Sequence, residues 1–252
     1  MLGKTNMSAA EWLFLKMLVT GHGADDARYV MIDEVQDYTQ TQLMVLARYF
    51  SNAHFLLLGD PNQAISEGTA SWAQVREVFE ASRGSVAECE LMTSYRSSPE
   101  ITALFTRLMD KDERLKTNSV QRSGTQPVVC AFEDEAAWED ALRSAVRQAA
   151  GTGELAAVIA ADKRSMKSLE KLLADEPVTC MASAAKLPSQ GVVLVDVALA
   201  KGLEFDEVII PDASAGIYKE TPVWRHRLYT ALSRATKRLT VLAAGQLTEL
   251  LR

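Results

Sequence analysis

The 252-residue sequence is poor in cysteine and has no apolar run long enough to span a bilayer. Its three cysteines, Cys89, Cys130 and Cys180, stand far apart with no C-x-x-C pair. That excludes a disulfide framework or zinc cluster and predicts reduced, buried thiols. The N-terminus lacks the uninterrupted apolar core of a secretory signal, so the expected location is the cytoplasm, with no membrane partner. Basic residues are also in short supply: 27 Lys and Arg against 33 Asp and Glu leave a formal charge of −6. Nonspecific nucleic-acid affinity comes mainly from Lys and Arg neutralising phosphates, so a general polyanion-binding surface is excluded and only a local groove stays open. Apolar residues, by contrast, make up 48% of the chain beside 24% charged, a globular composition with room for one large or two small domains.

Apolar runs at 29–32, 55–58, 128–131, 156–160, 192–197, 208–210 and 239–242 predict strands. Segments with helical spacing, such as 40–50, 136–149, 163–174 and 225–235, lie between them. That alternation predicts an α/β fold with parallel sheets covered by helices. The polar stretch 109–126 reads as a domain connection. Two α/β units are expected, residues 1–94 and 95–252, the first of them incomplete.

Five short segments carry candidate chemistry. Asp33 and Glu34 of DEVQD follow the apolar run Tyr29 to Ile32, which is how a buried strand delivers carboxylates to a sheet end. Such carboxylates hold Mg²⁺ and prime a water against a nucleotide, or simply cap a helix start. A second run ends in GDPNQ, where Asp60 adds a carboxylate and Gln63 a neutral group able to orient water, the alternative being a Pro-Asn turn. In SYRSSPE, Ser98 is the expected N-cap and Pro99 the first residue of a helix. Arg96 can then swing to a phosphate or form a surface ion pair, and Tyr95 is otherwise core. KGLEFD places Gly202 for close backbone approach and Glu204 for a ribose hydroxyl, against a turn with solvated charges. LYTALSRATKRL, residues 228–239, reads as a helix with Leu228, Ala231, Leu232 and Ala235 inward and Arg234 elsewhere, usually a solvated arginine.

Taken in this order, the five segments resemble motifs II to VI of the superfamily-one helicases of the UvrD/Rep type, over residues 29–242. DEVQDYT and LAKGLEFD look most like the HelD, or helicase IV, branch. The resemblance implies RecA-like parallel sheets of the P-loop NTPase type, with ATP and Mg²⁺. It makes Asp33 the metal-associated carboxylate, Glu34 the base, Gln63 the γ-phosphate sensor and Asp60 its support. Tyr95 stacks on adenine, Arg96 and Arg234 meet the γ-phosphate, and Gly202 with Glu204 contacts the phosphate and ribose side. Fixed guanidinium groups stabilise charge spreading over the equatorial oxygens, worth about 10³ to 10⁵ in rate for an arginine finger. With the arginines on the other domain, hydrolysis is coupled to opening and closing of a cleft. DNA and, through the HelD likeness, RNA polymerase are the implied partners. The alternatives are a strand-separating DNA helicase or helicase-nuclease subunit, and a non-hydrolysing interaction module.

Three departures qualify the resemblance. The phosphate cradle shrinks to Gly3-Lys4-Thr5, with no G-x-x-x-x-G before it, so the isolated chain is expected to be an inactive piece of a longer motor. Ser66 to Ser71 replaces an aromatic base-stacking segment, and Ala198 stands where a histidine is common. Trp72 is either a substitute stacking platform or a tryptophan packed at a helix start. A local basic group of Arg225, Arg227, Lys237 and Arg238 offers the remaining route to a grip on DNA, which is expected to be weak.

Overall fold

The computed structural model describes residues 7–24, 26–181 and 186–252, so Gly3-Lys4-Thr5 lies outside the described residues. The chain divides into two compact units, 1–90 and 91–252. Among the described residues no helix is long and apolar enough to cross a membrane.

In the first unit, α1 (Ala9–Thr20), β1 (Tyr29–Ile32), α2 (Gln40–Tyr49), β2 (His54–Leu57) and α3 (Trp72–Arg83) follow in order. Capping boxes start all three helices: Ser8 with Glu11, Thr39 with Gln42, and Ser71 with Gln74. β1 and β2 pair in parallel, Tyr29 opposite His54 and Ile32 opposite Leu57. One face of this pair, Val30, Ile32, Phe55 and Leu57, packs with Leu43, Val75 and Phe79 from the helices. The pleat turns Tyr29, Met31, Leu56 and Leu58 the other way, and these four are exposed. Trp72 is half-buried at the start of α3 and packs on the same core, the helix-start role rather than an exposed platform.

The second unit holds β3 (Thr93–Ser94), α4 (Pro99–Phe105), α5 (Lys111–Lys116), β4 (Asn118–Ser119), β5 (Val128–Phe132), α6 (Glu135–Ala150), β6 (Leu155–Ala160) and α7 (Lys163–Leu172). They are followed by β7 (Val178–Cys180), β8 (Gly191–Asp196), α8 (Val197–Ala200), β9 (Phe205–Ile210), α9 (Pro222–Leu232) and β10 (Ala235–Ala244). Six strands form one parallel sheet in the order β5-β10-β9-β6-β8-β7. This is the α/β, RecA-like architecture of parallel strands flanked by helices. Both faces are covered, so the central strands read as unbroken apolar runs. On one side α6 and α7 bury Leu142, Val146 and Leu169 against Ala156, Val158, Leu194 and Ile209. The alternate residues Ala157, Ile159, Val193, Val195 and Val208 are fully buried on the side of α4, α8 and α9.

Three expectations change. Residues 109–126 are not a connection between the units. They contain α5 and β4, and β4 pairs with β3 inside the second unit, Thr93 opposite Asn118. The helix expected over 228–239 stops at Leu232, because Ala235 onward pairs with β9 as a strand. The thiols are not buried: Cys89 and Cys180 are exposed and Cys130 half-buried, with Cys180 on the edge strand β7.

Candidate active site

In the first unit the chain turns sharply after β1. Glu34 sits at φ 52°, ψ 43°, and it is the sole described non-glycine residue with positive φ. The left-handed region costs a residue with a Cβ about 1–2 kcal/mol, so neighbouring contacts must hold it there. Two hydrogen bonds do so: the Glu34 N–H donates to the side-chain Asp33 Oδ1 at 2.9 Å and the Val35 N–H to the Leu58 carbonyl at 2.9 Å. Asp33 is exposed, while Glu34 is half-buried.

Gln36, in the single 3₁₀ turn Val35–Asp37, adds a third. It is buried, its amide nitrogen donates to Glu34 Oε2, and its Oε1 accepts from the Asp60 N–H at 3.1 Å. Asp60 in turn caps the turn Pro61–Gln63. Its Oδ1 accepts from the Asn62 N–H at 2.9 Å and its Oδ2 from Gln63 Nε2 at 2.8 Å. Glu34, Gln36, Asp60 and Gln63 therefore form one hydrogen-bonded chain across the ends of β1 and β2. Gly59 makes this approach possible, since a Cβ there would overlap Gln36 Oε1 and stand 3.0 Å from Val35 Cγ1. Asp33, Glu34, Asp60 and Gln63 thus share one edge. Gln36 and Gly59 escaped the sequence reading, although both lie inside the quoted segments.

Among the described residues no three His, Cys, Asp or Glu side chains form a metal cage. Mg²⁺ does not need one, because it is held by one or two carboxylates with waters and substrate phosphates. The exposed Asp33 carboxylate at a strand end is an oxygen donor of the kind such a hard cation takes.

In the second unit three segments far apart in sequence converge. Arg96 Nε pairs with Glu204 Oε1 at 2.6 Å, both side chains being well exposed. Next to it, the buried Ser97 hydroxyl donates to the Ala235 carbonyl at 2.6 Å. Arg234 is 2% exposed and fully engaged with its surroundings. Its Nε donates to the Thr230 carbonyl at 3.1 Å, its Nη2 to Ser233 Oγ at 3.1 Å and its Nη1 to the Leu203 carbonyl at 3.4 Å. The Phe205 N–H closes the circuit on the Arg234 carbonyl at 3.0 Å. Arg234 is therefore no solvated arginine: it ends α9 and fastens it to the 201–204 loop. Gly202 turns that loop at φ 79°, a conformation that suits glycine.

Ser98 accepts from the Ile101 N–H and Pro99 opens α4, as expected. Tyr95 is 72% exposed, which rules out a core role. β4 and the segment that follows it clamp this stretch. The Ser119 hydroxyl donates to the Ser97 carbonyl at 2.7 Å, the Gln121 amide to the Tyr95 carbonyl, and Ser123 and the Gly124 N–H to the Glu100 carboxylate. Those two donors, Ser123 first, pull the Glu100 carboxyl down to about 2.

The basic residues considered for a DNA groove are tied up locally. Lys237 pairs with Glu154 at 2.8 Å and Asp206 at 3.0 Å, and Arg238 with Glu154 at 2.7 Å and Glu207 at 2.8 Å. Arg227 lies over the Trp224 ring at 4.8 Å, and Arg225 stands 3.8 Å from Asp110.

Parallel strands flanked by helices, as in the six-stranded sheet of the second unit, define an α/β, RecA-like fold. Residues 8–67 match the UvrD/REP helicase N-terminal domain and residues 191–242 the UvrD-like helicase C-terminal domain. The crystal structure of the C-terminal domain of a possible DNA helicase from Lactobacillus plantarum WCFS1 is 32% identical, with a TM-score of 0.52. The match covers 63% of this chain and 92% of that one. The chain belongs to the UvrD-like helicase family. It is also 27% identical over 199 residues to human (Homo sapiens) TPR and ankyrin repeat-containing protein 1, spanning 71% of this chain and 6% of that protein's length.

Proposed function

We propose that these residues carry the hydrolytic chemistry of an ATP-driven UvrD-type motor acting on DNA-bound complexes. RNA polymerase is the partner implied by the HelD-like form of DEVQDYT and LAKGLEFD. The observation that carries the reading is the hydrogen-bonded chain from Glu34 through Gln36 and Asp60 to Gln63. A water-activating carboxylate and a phosphate-sensing amide need fixed relative positions, and this chain supplies them.

Glu34 takes the proton of the attacking water, and Gln63, anchored on Asp60, reads the γ-phosphate. Asp33 would hold Mg²⁺, which would supply positive charge against the nucleotide's phosphates. Arg96 stabilises the charge that develops on the transferring group, and Arg234 joins it by exchanging its long 3.4 Å bond to the Leu203 carbonyl for a phosphate oxygen. Arg96 must exchange Glu204 for phosphate oxygens, which leaves Glu204 and the glycine-turned loop at Gly202 for the ribose side. Tyr95 offers an exposed ring to the adenine.

The packed Trp72 and the engaged Lys237 and Arg238 support a weak grip on bare DNA. A second reading, strand separation, is favoured by the likeness to a possible DNA helicase. Duplex unwinding and displacement of RNA polymerase from nucleic acid, measured on the full-length protein, separate the two. The expected result is polymerase displacement with poor unwinding. Processive unwinding without polymerase association contradicts it and establishes strand separation.

A further inference from the structure

Among the described residues of the first unit, Gln36 is the only buried polar or charged one, and both ends of its amide are used. Its orientation is fixed by chemistry. The Glu34 carboxylate only accepts and the Asp60 N–H only donates, so Nε2 must face the first and Oε1 the second. No other side chain of that length does both: glutamate loses the donor, methionine loses both, and asparagine is one carbon short. Gly59 leaves the space in which the amide lies, since a Cβ would overlap it.

We infer that Gln36 is a positioning residue that aims the Glu34 carboxylate and sets its register against the loop carrying Gln63. It touches neither substrate nor metal, and acts only through Glu34 and Asp60. The inference rests on the reading of Glu34 as the group that activates water. It assigns Gln36 a task beyond packing: with Glu34 in a left-handed turn, the amide donates to one oxygen of the carboxylate and so helps set where that group points.

The test is a double-mutant cycle in the full-length protein, with steady-state ATP turnover and nucleotide binding measured for Glu34→Gln, Gln36→Met and the pair. Gln36→Met is expected to lower kcat about 10- to 100-fold, the cost of a misplaced catalytic group, with nucleotide Kd changed less than about threefold. In the Glu34→Gln background the same substitution is expected to change the residual turnover by less than about twofold, because its target is gone. An equal proportional loss in both backgrounds overturns the inference, and so does Gln36→Met at wild-type kcat beside an inactive Glu34→Gln. Wild-type turnover in Glu34→Gln removes the underlying reading and the inference with it. Should Gln36→Met fail to fold, Gln36→Glu takes its place in the cycle. It keeps the acceptor for Asp60 but sets two carboxyls against each other, and unchanged kcat in that variant overturns the inference equally.

Discussion

Replacing Gly59 by alanine drives a methyl group into the space of the Gln36 amide oxygen, with Val35 Cγ1 at 3.0 Å and the Val35 nitrogen at 3.2 Å. Gly59 is not among the positive-φ glycines, so backbone strain plays no part and the effect is steric. Val35 is fully buried and its N–H is bonded to Leu58, which leaves Gln36 as the group that must move. Moving it breaks the bond to the Asp60 N–H. Overpacking of this kind costs about 1–3 kcal/mol and a lost buried hydrogen bond about 0.5–1.5 kcal/mol, offset by about 0.4–1 kcal/mol from a less flexible unfolded chain. The net expectation is a loss of about 2–3 kcal/mol in the first unit. Urea unfolding followed by tryptophan fluorescence measures it, since Trp12 and Trp72 both lie in that unit. Gly216→Ala is the control, because a Cβ there meets only Ser214 Oγ at 3.7 Å, and it should be neutral or slightly stabilising. Unchanged or increased stability in Gly59→Ala refutes the packing of Gln36 against the end of β2.

Glu204→Gln is expected to change folding stability by less than about 1 kcal/mol, since its pair with Arg96 is solvent-exposed, while raising the nucleotide KM of the full protein. Arg147→Ala should lower the melting temperature clearly. The Glu176 carboxylate is 2% exposed, Arg147 holds it through two bonds of 2.7 Å, and Arg143 at 3.5 Å would be left alone with it. Glu100 has a carboxyl lowered to about 2, so its contribution to stability is complete above the ordinary carboxylate range and disappears as pH falls from about 4 towards 2. Ser123→Ala should shrink the acid sensitivity of unfolding in that window, and an unaltered pH profile would show that the Ser123 bond is not responsible.

The strands of the second sheet were legible because β6 and β8 are buried on both faces and therefore spell LAAVIA and GVVLVD without polar interruption. The N-cap at Ser98 was legible because its signal is local. The end of α9 was not. Leu228, Ala231, Leu232 and Ala235 keep helical spacing, yet the chain leaves the helix at Ser233, where Arg234 binds the Thr230 carbonyl and Ala235 joins β9. Arg234 looks like any surface arginine until its partner Leu203, distant in sequence, is known. The clamp of 118–124 on Tyr95 to Glu100 was hidden in the same way, behind a polar composition that reads as linker. Gln36 shows the limit most sharply. Its partner on the neighbouring strand end is Asp60, and no periodicity links positions 36 and 60.

The most direct test of the proposed chemistry is ATP turnover by the full-length protein with Mg²⁺, comparing wild type with Glu34→Gln while following nucleotide binding in parallel. The account predicts binding within a few-fold of wild type and turnover reduced at least about 100-fold, the scale of a lost general base. Undiminished turnover in Glu34→Gln would contradict it.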